Sequence, residues 1–187
     1  MKVKQKKLKA ENFGYLRKAE LRDTKKLLER MYMVDGDIAD IQNGVHVIFH
    51  LATYSGNKVN FDLSMTGWAF ERIKEAIEIA YVILVKCELT PEIKPFGENE
   101  STFFEEDNFL YAPEIPVDQF LQTFFGFKTI GQWGELLDVL ISAVISDEPI
   151  DDTVYQKNII QSRFLLIKLP LVLREICQNR GIKNSIS

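Results

Sequence analysis

The chain has 187 residues, of which 46% are hydrophobic and 27% are charged, and its formal net charge is −4. A chain of this size buries roughly two thirds of its unfolded surface, so a single domain over residues 1–187 needs no disulfide or metal to fold. Cys87 and Cys177 are the only cysteines, and their spacing matches neither a zinc site nor a redox pair, which predicts reduced thiols and a cytoplasmic location. No run of about 18 apolar residues is present, so we expect no membrane partner.

Charge is distributed unevenly along the chain. Residues 1–30 contain 11 Lys and Arg against 4 Asp and Glu, whereas the remainder is strongly acidic. Such an asymmetry indicates an anionic partner for the basic end. Residues 1–11 carry five lysines with little to bury and are predicted to form a mobile tail.

A helix is predicted from about Leu16 to Met33, because apolar residues recur there at helical spacing. Its basic residues lie largely off the apolar stripe and are the candidate contacts to an anion: Lys18, Arg22, Lys25, Lys26 and Arg30. Asp35-Gly36-Asp37 is a strong turn signal and ends this helix.

Residues 44–63 fit two structures. Two alternating runs flank Ser55-Gly56-Asn57-Lys58, which favours a β-hairpin. A helix over residues 38–54 is the alternative, since periodicity decides poorly in short apolar runs.

The segment Trp68–Cys87 is predicted to be the central helix. It contains neither Pro nor Gly, its first half is amphipathic and its second half is apolar on all sides. Glu71, Glu75 and Glu78 recur on one side of the first half, which we interpret as a solvated face. A general acid/base pair formed by Glu75 and Glu78 is the functional alternative.

The connection over residues 88–116 differs from the rest of the chain. It holds four of the six prolines, eight acidic residues against a single lysine, and five aromatic residues. A small hairpin over residues 102–111 would shorten this loop. We interpret the segment as packing on the bundle through its five aromatic residues. It is alternatively a binding site for a protein partner, or for the basic end of the same chain or of a second copy.

Three further helices are predicted in the second half. The first runs from Val117 to Phe125, the second from about Thr129 to Ile145, and the third from about Asp152 to Asn179. Pro170 should kink or split the third near Ile167. The third helix is apolar nearly all round, so it is either central to the core or part of a homodimer interface.

These segments predict a mainly α fold, a helical bundle of about five helices with one or two small peripheral β-hairpins. The expected core consists of Trp68, Phe70, Ile77, Tyr81, Leu84, Leu137, Leu140, Val144, Leu166 and Leu169.

Motifs that carry known chemistry are absent. There is no dinucleotide-binding or phosphate-binding glycine loop, no HExxH and no GxSxG. His46 and His50 are the only histidines, and they share one face of a helix at the spacing of two metal ligands. On a strand they would lie roughly 13 Å apart, so this metal site requires the helical alternative and carboxylates from elsewhere, with Glu71, Glu75 and Glu78 as candidates.

The basic end supports binding of a nucleic acid or another polyanion, because clustered Lys and Arg release condensed counterions. Phe13, Tyr15 and Tyr32 lie nearby in the sequence and could stack on bases.

We therefore favour a non-catalytic, cytoplasmic binding or regulatory protein that acts through its basic N-terminal helix and its acidic aromatic segment, and we predict no cofactor. A metal-dependent enzyme or metal-binding bundle using His46 and His50 is one alternative. A small-molecule sensor with an apolar pocket between helices is another.

Overall fold

The computed structural model describes residues 8, 13–31, 36–53, 63–91, 116–146, 148–150 and 152–179. Within these ranges the chain forms a 3₁₀ turn at Glu20–Arg22 and six α-helices. The helices are α1 (Thr24–Met31), α2 (Gly36–Thr53), α3 (Leu63–Lys86), α4 (Val117–Phe127), α5 (Ile130–Ser146) and α6 (Asp152–Asn179). The predicted mainly α bundle is confirmed, and no strand occurs in the ranges given above.

The helices pack around α2 and α3. Helix α2 contacts α3, α5 and α6, whereas α3 also contacts α4, α5 and α6, and the short α1 lies on α3 and α6. The predicted core is largely confirmed, because seven of its ten members are buried: Ile77, Leu84, Leu137, Leu140, Val144, Leu166 and Leu169. Trp68, Phe70 and Tyr81 are half-buried and pack against that core.

The hairpin predicted over residues 44–63 is wrong, because residues 44–53 belong to α2. Residues at helical spacing are buried along this helix, namely Ile41, Val45, Ile48, Phe49 and Ala52. The sequence contains both this helical period and the alternation that suggested a strand. Packing against three other helices favours the helix. The remainder of that hairpin up to residue 62, and the second hairpin over residues 102–111, lie outside the described residues.

The contact between α2 and α3 is close at Gly44. A Cβ placed on Gly44 would lie 2.0 Å from the Cβ of Ala69, a separation that two carbon atoms cannot adopt. The absence of a side chain at Gly44 therefore sets how near the two central helices approach.

Helices α2 and α6 run antiparallel. The Gln42 side chain donates to the Ile167 carbonyl at 2.9 Å, and His46 contacts Arg163 one turn further along α2. At the end of α2, the Ile150 N–H donates to the Ala52 carbonyl at 2.8 Å.

Helix α6 is one helix through Pro170, so the predicted split near Ile167 does not occur, whereas the predicted kink stays a prediction. Proline lacks an N–H and disturbs the carbonyls of the preceding turn. The carbonyl that Pro170 leaves without its helical donor is that of Leu166, and the Gln42 side chain donates to the next carbonyl, that of Ile167, from the neighbouring helix.

The apolar residues of α6 from Phe164 to Ile176 are almost all buried within the single chain, as expected for a helix that is central to the core. The homodimer remains a prediction. None of the described helices is both long and apolar enough to cross a bilayer.

Candidate anion-binding surface

The helix predicted from Leu16 to Met33 is divided at Asp23. A 3₁₀ turn precedes Asp23 and α1 follows it, and the Asp23 carboxylate accepts a hydrogen bond from the Lys26 N–H at 3.1 Å. Asp23 therefore caps α1, because its side chain satisfies a backbone donor that the first turn leaves open. This capping favours a new helix start over a continuous helix.

The N-terminal segment is fixed to the bundle by its apolar residues. Leu21, Leu27 and Leu28 are buried, and α1 contacts both α3 and α6. Lys18, Arg22 and Lys26 are exposed on this docked segment, with Lys18 just before the 3₁₀ turn, Arg22 at its end and Lys26 on α1. Lys25 and Arg30 belong to α1 with Lys26, but their side chains lie outside the described part of the structure.

Lys86, in the last turn of α3, joins these residues across the tertiary contact. Its Nζ donates to the Arg22 carbonyl at 3.4 Å. Burial lowers the pKa of Lys86, and the nearby Asp23 carboxylate opposes that shift. We call the group of Lys18, Arg22, Lys26 and Lys86 the basic surface.

Two carboxylates lie beside the basic surface, and both are held locally. Asp23 pairs with Lys26 at 3.5 Å, and the Lys26 N–H and ammonium lower the pKa of Asp23. Glu20 accepts a hydrogen bond from the Arg17 N–H at 2.7 Å. A depression next to α1 is lined by Glu20, Asp23 and Lys26, so its charge does not suit a small anion. Contacts to a polyanion would therefore lie along the exposed side chains rather than in that depression.

The segment before the basic surface is fixed by Glu78. Its carboxylate accepts hydrogen bonds from three successive backbone N–H groups: Gly14 at 2.6 Å, Tyr15 at 2.9 Å and Leu16 at 3.0 Å. Leu16 is buried, and the Phe13 ring lies 6.3 Å from the Tyr81 ring. We call residues 13–16 together with Glu78 the N-terminal anchor.

Charge at the anchor is set by opposing effects. Burial raises the pKa of Glu78, the three backbone N–H groups lower it, and the neighbouring Glu75 carboxylate raises it further, so the net direction is upward. The pKa of Tyr15 is raised by burial and by the negative charges of Glu71, Glu78 and Asp138. The surroundings of Tyr15 are therefore unfavourable for a phosphate.

The interpretation of Glu71, Glu75 and Glu78 as a solvated face is wrong for two of the three. Glu71 is exposed, whereas Glu75 is 7% and Glu78 is 9% exposed. Arg72 donates to Glu75 at 2.8 Å, and the N-terminal segment covers Glu78. Both buried carboxylates thus have structural partners, and the proposed acid/base pair remains untested.

His46 and His50 are both exposed on α2 and share its face, as the metal hypothesis requires. The Nδ1 atom of His46 contacts the Arg163 guanidinium, which disfavours a cation at that nitrogen. Among the residues that the structure describes, no group of three or more His, Cys, Asp and Glu side chains could hold a metal ion. The carboxylates suggested as further ligands lie on α3 and are not grouped with the histidines.

The remaining candidates are the aromatic residues near the basic end, the acidic segment and the two cysteines. Phe13 packs on Tyr81 and is thereby engaged within the bundle, Tyr15 is 37% exposed, and Tyr32 lies outside the described residues. Most of the acidic segment over residues 88–116 also lies outside them. Cys87 and Cys177 are half-buried.

Sequence reasoning named Lys18, Arg22 and Lys26 as anion contacts, which stays a prediction, but it did not name Lys86, and it gave Glu78 other roles than holding the N-terminal segment. Lys86 stands alone at the end of an apolar helix, and the donors to Glu78 come from residues 62 to 64 positions earlier. No local pattern marks either residue, because both act through tertiary contacts.

Comparison with protein-family models, curated proteins and solved structures found no match.

Proposed function

We propose that the protein binds nucleic acid through the basic surface, as a non-catalytic binding or regulatory protein. The observation that supports this proposal is the placement of exposed cations on an element that is itself docked and anchored. Lys18, Arg22 and Lys26 are exposed beside Lys86, while Leu21, Leu27 and Leu28 fix the segment to the bundle.

The docking of the basic segment on the bundle favours affinity for phosphates. A mobile basic arm loses conformational entropy when it lies along phosphates, whereas a docked helix has already lost most of it. Residues 17–31 carry six basic against three acidic residues, so the surface keeps a positive excess. Asp23 and Glu20 are engaged in local contacts and partly screened by them.

The acidic remainder of the chain limits the footprint. A phosphate backbone that extended from the basic surface toward Tyr15 would approach Glu71, Glu78 and Asp138. Binding would therefore be confined to the α1 side of the bundle, which suits a short single strand or loop better than a long duplex.

The salt dependence of binding follows from the number of cations. Four phosphate contacts give a slope of log K against log salt of roughly −3, so affinity should fall roughly 60-fold between about 50 and 200 mM salt. The measurement is fluorescence anisotropy of labelled single- and double-stranded DNA and RNA with protein that carries no affinity tag.

Charge variants locate the site. Arg22→Ala with Lys26→Ala should reduce the magnitude of the slope by about half, because two of four contacts are removed. Lys74→Gln, on α3 beside Asp138 of α5, with Lys128→Gln, directly after α4, makes the same change in net charge and should leave the slope unchanged. Equal loss in both double variants would mean that only net charge matters. Absence of binding at the lower salt would exclude the proposal.

The acidic segment would compete with a polyanion for the basic surface. Residues 88–116 carry eight acidic residues and one lysine, which complements the basic end. Deletion of residues 98–111 should then strengthen binding to a polyanion, and unchanged affinity would reject this role.

A metal site at His46 and His50 is the second candidate, favoured by the helical spacing that α2 gives the pair. Metal analysis of tag-free protein tests it. A stoichiometric metal that is lost in His46→Ala with His50→Ala would support the candidate, and protein purified without metal that also fails to take up zinc would contradict it.

A further inference from the structure

The N-terminal anchor joins two parts of the chain that are remote in sequence. One carboxylate of α3 accepts three successive N–H groups at 2.6, 2.9 and 3.0 Å, across 62 to 64 residues. Three donors on one carboxylate fix both the position and the direction of the backbone, because each N–H must point at the same group.

Apolar contacts lie at both ends of this short stretch. Phe13 packs against Tyr81, which in turn makes an edge contact with Phe125 at 5.4 Å. Leu16 is 3% exposed. The backbone between these two side chains therefore has little freedom, and Glu78 lies opposite it.

A series of backbone hydrogen bonds begins at Arg17, directly after the anchor, and runs to the first turn of α1. The Arg17 carbonyl accepts from Glu20 and Leu21 at 2.9 and 3.2 Å. The Glu20 carbonyl then accepts from Asp23 at 3.1 Å, and the Asp23 carbonyl accepts from Leu27 at 3.3 Å. These turns begin at Arg17, directly after Leu16, so the position of Leu16 influences where Lys18 and Arg22 project.

We propose that Glu78 is a positioning residue for the basic surface: it holds residues 14–16 against α3 and thereby sets the placement of Lys18 and Arg22 for contact with nucleic acid. Glu78 itself touches no ligand in this arrangement. The inference rests on the proposed function for its binding consequence, whereas its structural consequence can be measured without any ligand.

The sign of the effect separates this role from simple electrostatics. Glu78→Gln removes one negative charge, so electrostatics alone predicts tighter binding to a polyanion. Positioning predicts weaker binding, since a carboxamide presents a single acceptor oxygen and turns its own N–H₂ toward backbone donors. Glu71→Gln is the matched control, because it makes the same charge change at an exposed position of the same helix.

Phe13→Ala provides a second variant that keeps the charge and the composition of α3. It weakens the anchor from the side of the N-terminal segment and leaves Glu78 in place. The positioning role of Glu78 can therefore still be tested if Glu78→Gln has a folding defect. The proposal expects Phe13→Ala and Glu78→Gln to change both measurements in the same direction.

The first measurement uses no nucleic acid. Limited trypsin digestion should cleave Glu78→Gln and Phe13→Ala at Arg17, Lys18 and Arg22 about tenfold faster than the unchanged protein or Glu71→Gln, since a charged hydrogen-bond network is lost. Equal cleavage rates in all four proteins would overturn the proposal.

The second measurement is the Kd for a labelled single-stranded RNA at low salt. We expect a roughly three- to tenfold higher Kd for Glu78→Gln and Phe13→Ala, from the cost of ordering the loosened segment on binding. Glu71→Gln should bind as well as or better than the unchanged protein. A Kd for Glu78→Gln at or below that of the unchanged protein would overturn the inference. If the unchanged protein does not bind, the proposed function fails and the trypsin rates alone decide whether Glu78 positions the segment.

Discussion

The close approach of α2 and α3 at Gly44 makes a sharp prediction about stability. In Gly44→Ala the new Cβ would lie 2.0 Å from the Ala69 Cβ and 3.6 Å from the Ala69 Cα. Carbon atoms in contact prefer about 3.5 to 4.0 Å, so the helices would have to separate by more than about 1 Å locally. Neither contacting atom belongs to a flexible side chain, and a rotamer change cannot relieve the clash.

The expected magnitude combines two effects. Overpacking of a well-filled contact costs about 1 to 3 kcal/mol, occasionally more. Replacing Gly by Ala inside a helix recovers up to about 1 kcal/mol. The clash should win here because both helices are central to the core, so we expect a net loss of about 2 kcal/mol from these two effects.

Urea denaturation followed by circular dichroism measures this change as a shift in midpoint at constant slope. Gly134→Ala is the control, since Gly134 lies inside α5 and a Cβ there meets nothing within 4 Å. That variant should be stabilised by up to about 1 kcal/mol. A Gly44→Ala protein as stable as the unchanged protein, or more stable, would refute the close packing of α2 on α3.

Two further predictions concern buried groups. The upward shift of the Glu78 pKa means that the folded protein binds this proton at a higher pH than the unfolded protein does. Lowering the pH from the folded pKa toward the ordinary pKa should therefore raise the stability of the unchanged protein relative to Glu78→Gln. Paired denaturation curves from pH 7 to 4 measure this, and an NMR titration midpoint for Glu78 below the ordinary value would contradict the sign. Trp133 is fully buried and stacks on Phe124 with ring centroids 4.4 Å apart. The Trp133 Nε1–H donates to the Phe124 carbonyl at 3.2 Å, and that carbonyl also accepts from the Lys128 N–H, so Trp133→Phe leaves it with a donor. The variant should therefore lower the free energy of unfolding by about 2 kcal/mol through the space left behind, and thermal denaturation showing no loss would mean that the site collapses around the smaller ring.

The long helices could be predicted from sequence because their patterns are uninterrupted. The central helix was expected from Trp68 to Cys87 and spans Leu63–Lys86. Helix α2 was mistaken for a hairpin because Val45, Val47, Phe49 and Leu51 alternate, although Val45, Ile48 and Phe49 also follow the helical period. Burial by neighbouring helices decided between two periods that the sequence contains together.

Parts of the candidate site depend on contacts that sequence spacing does not reveal. The basic residues between Lys18 and Arg30 were visible as a cluster, since charge composition is a local property. The division of that helix at Asp23 depends on a single cap, and the contribution of Lys86 depends on where α3 ends. In the sequence, Glu78 resembles any exposed glutamate of an amphipathic helix, because the residues that cover it, such as Leu16, are remote in the chain.

Hydrogen–deuterium exchange of the protein with and without a short single-stranded RNA tests the central claim most directly. The account predicts slower amide exchange in residues 17–31 and near Lys86 when RNA is present, with no change over α5, because the phosphates would contact the basic surface alone. Protection confined to α5, or exchange unaffected at an RNA concentration that saturates binding, would contradict the assignment of the basic surface as the nucleic-acid site.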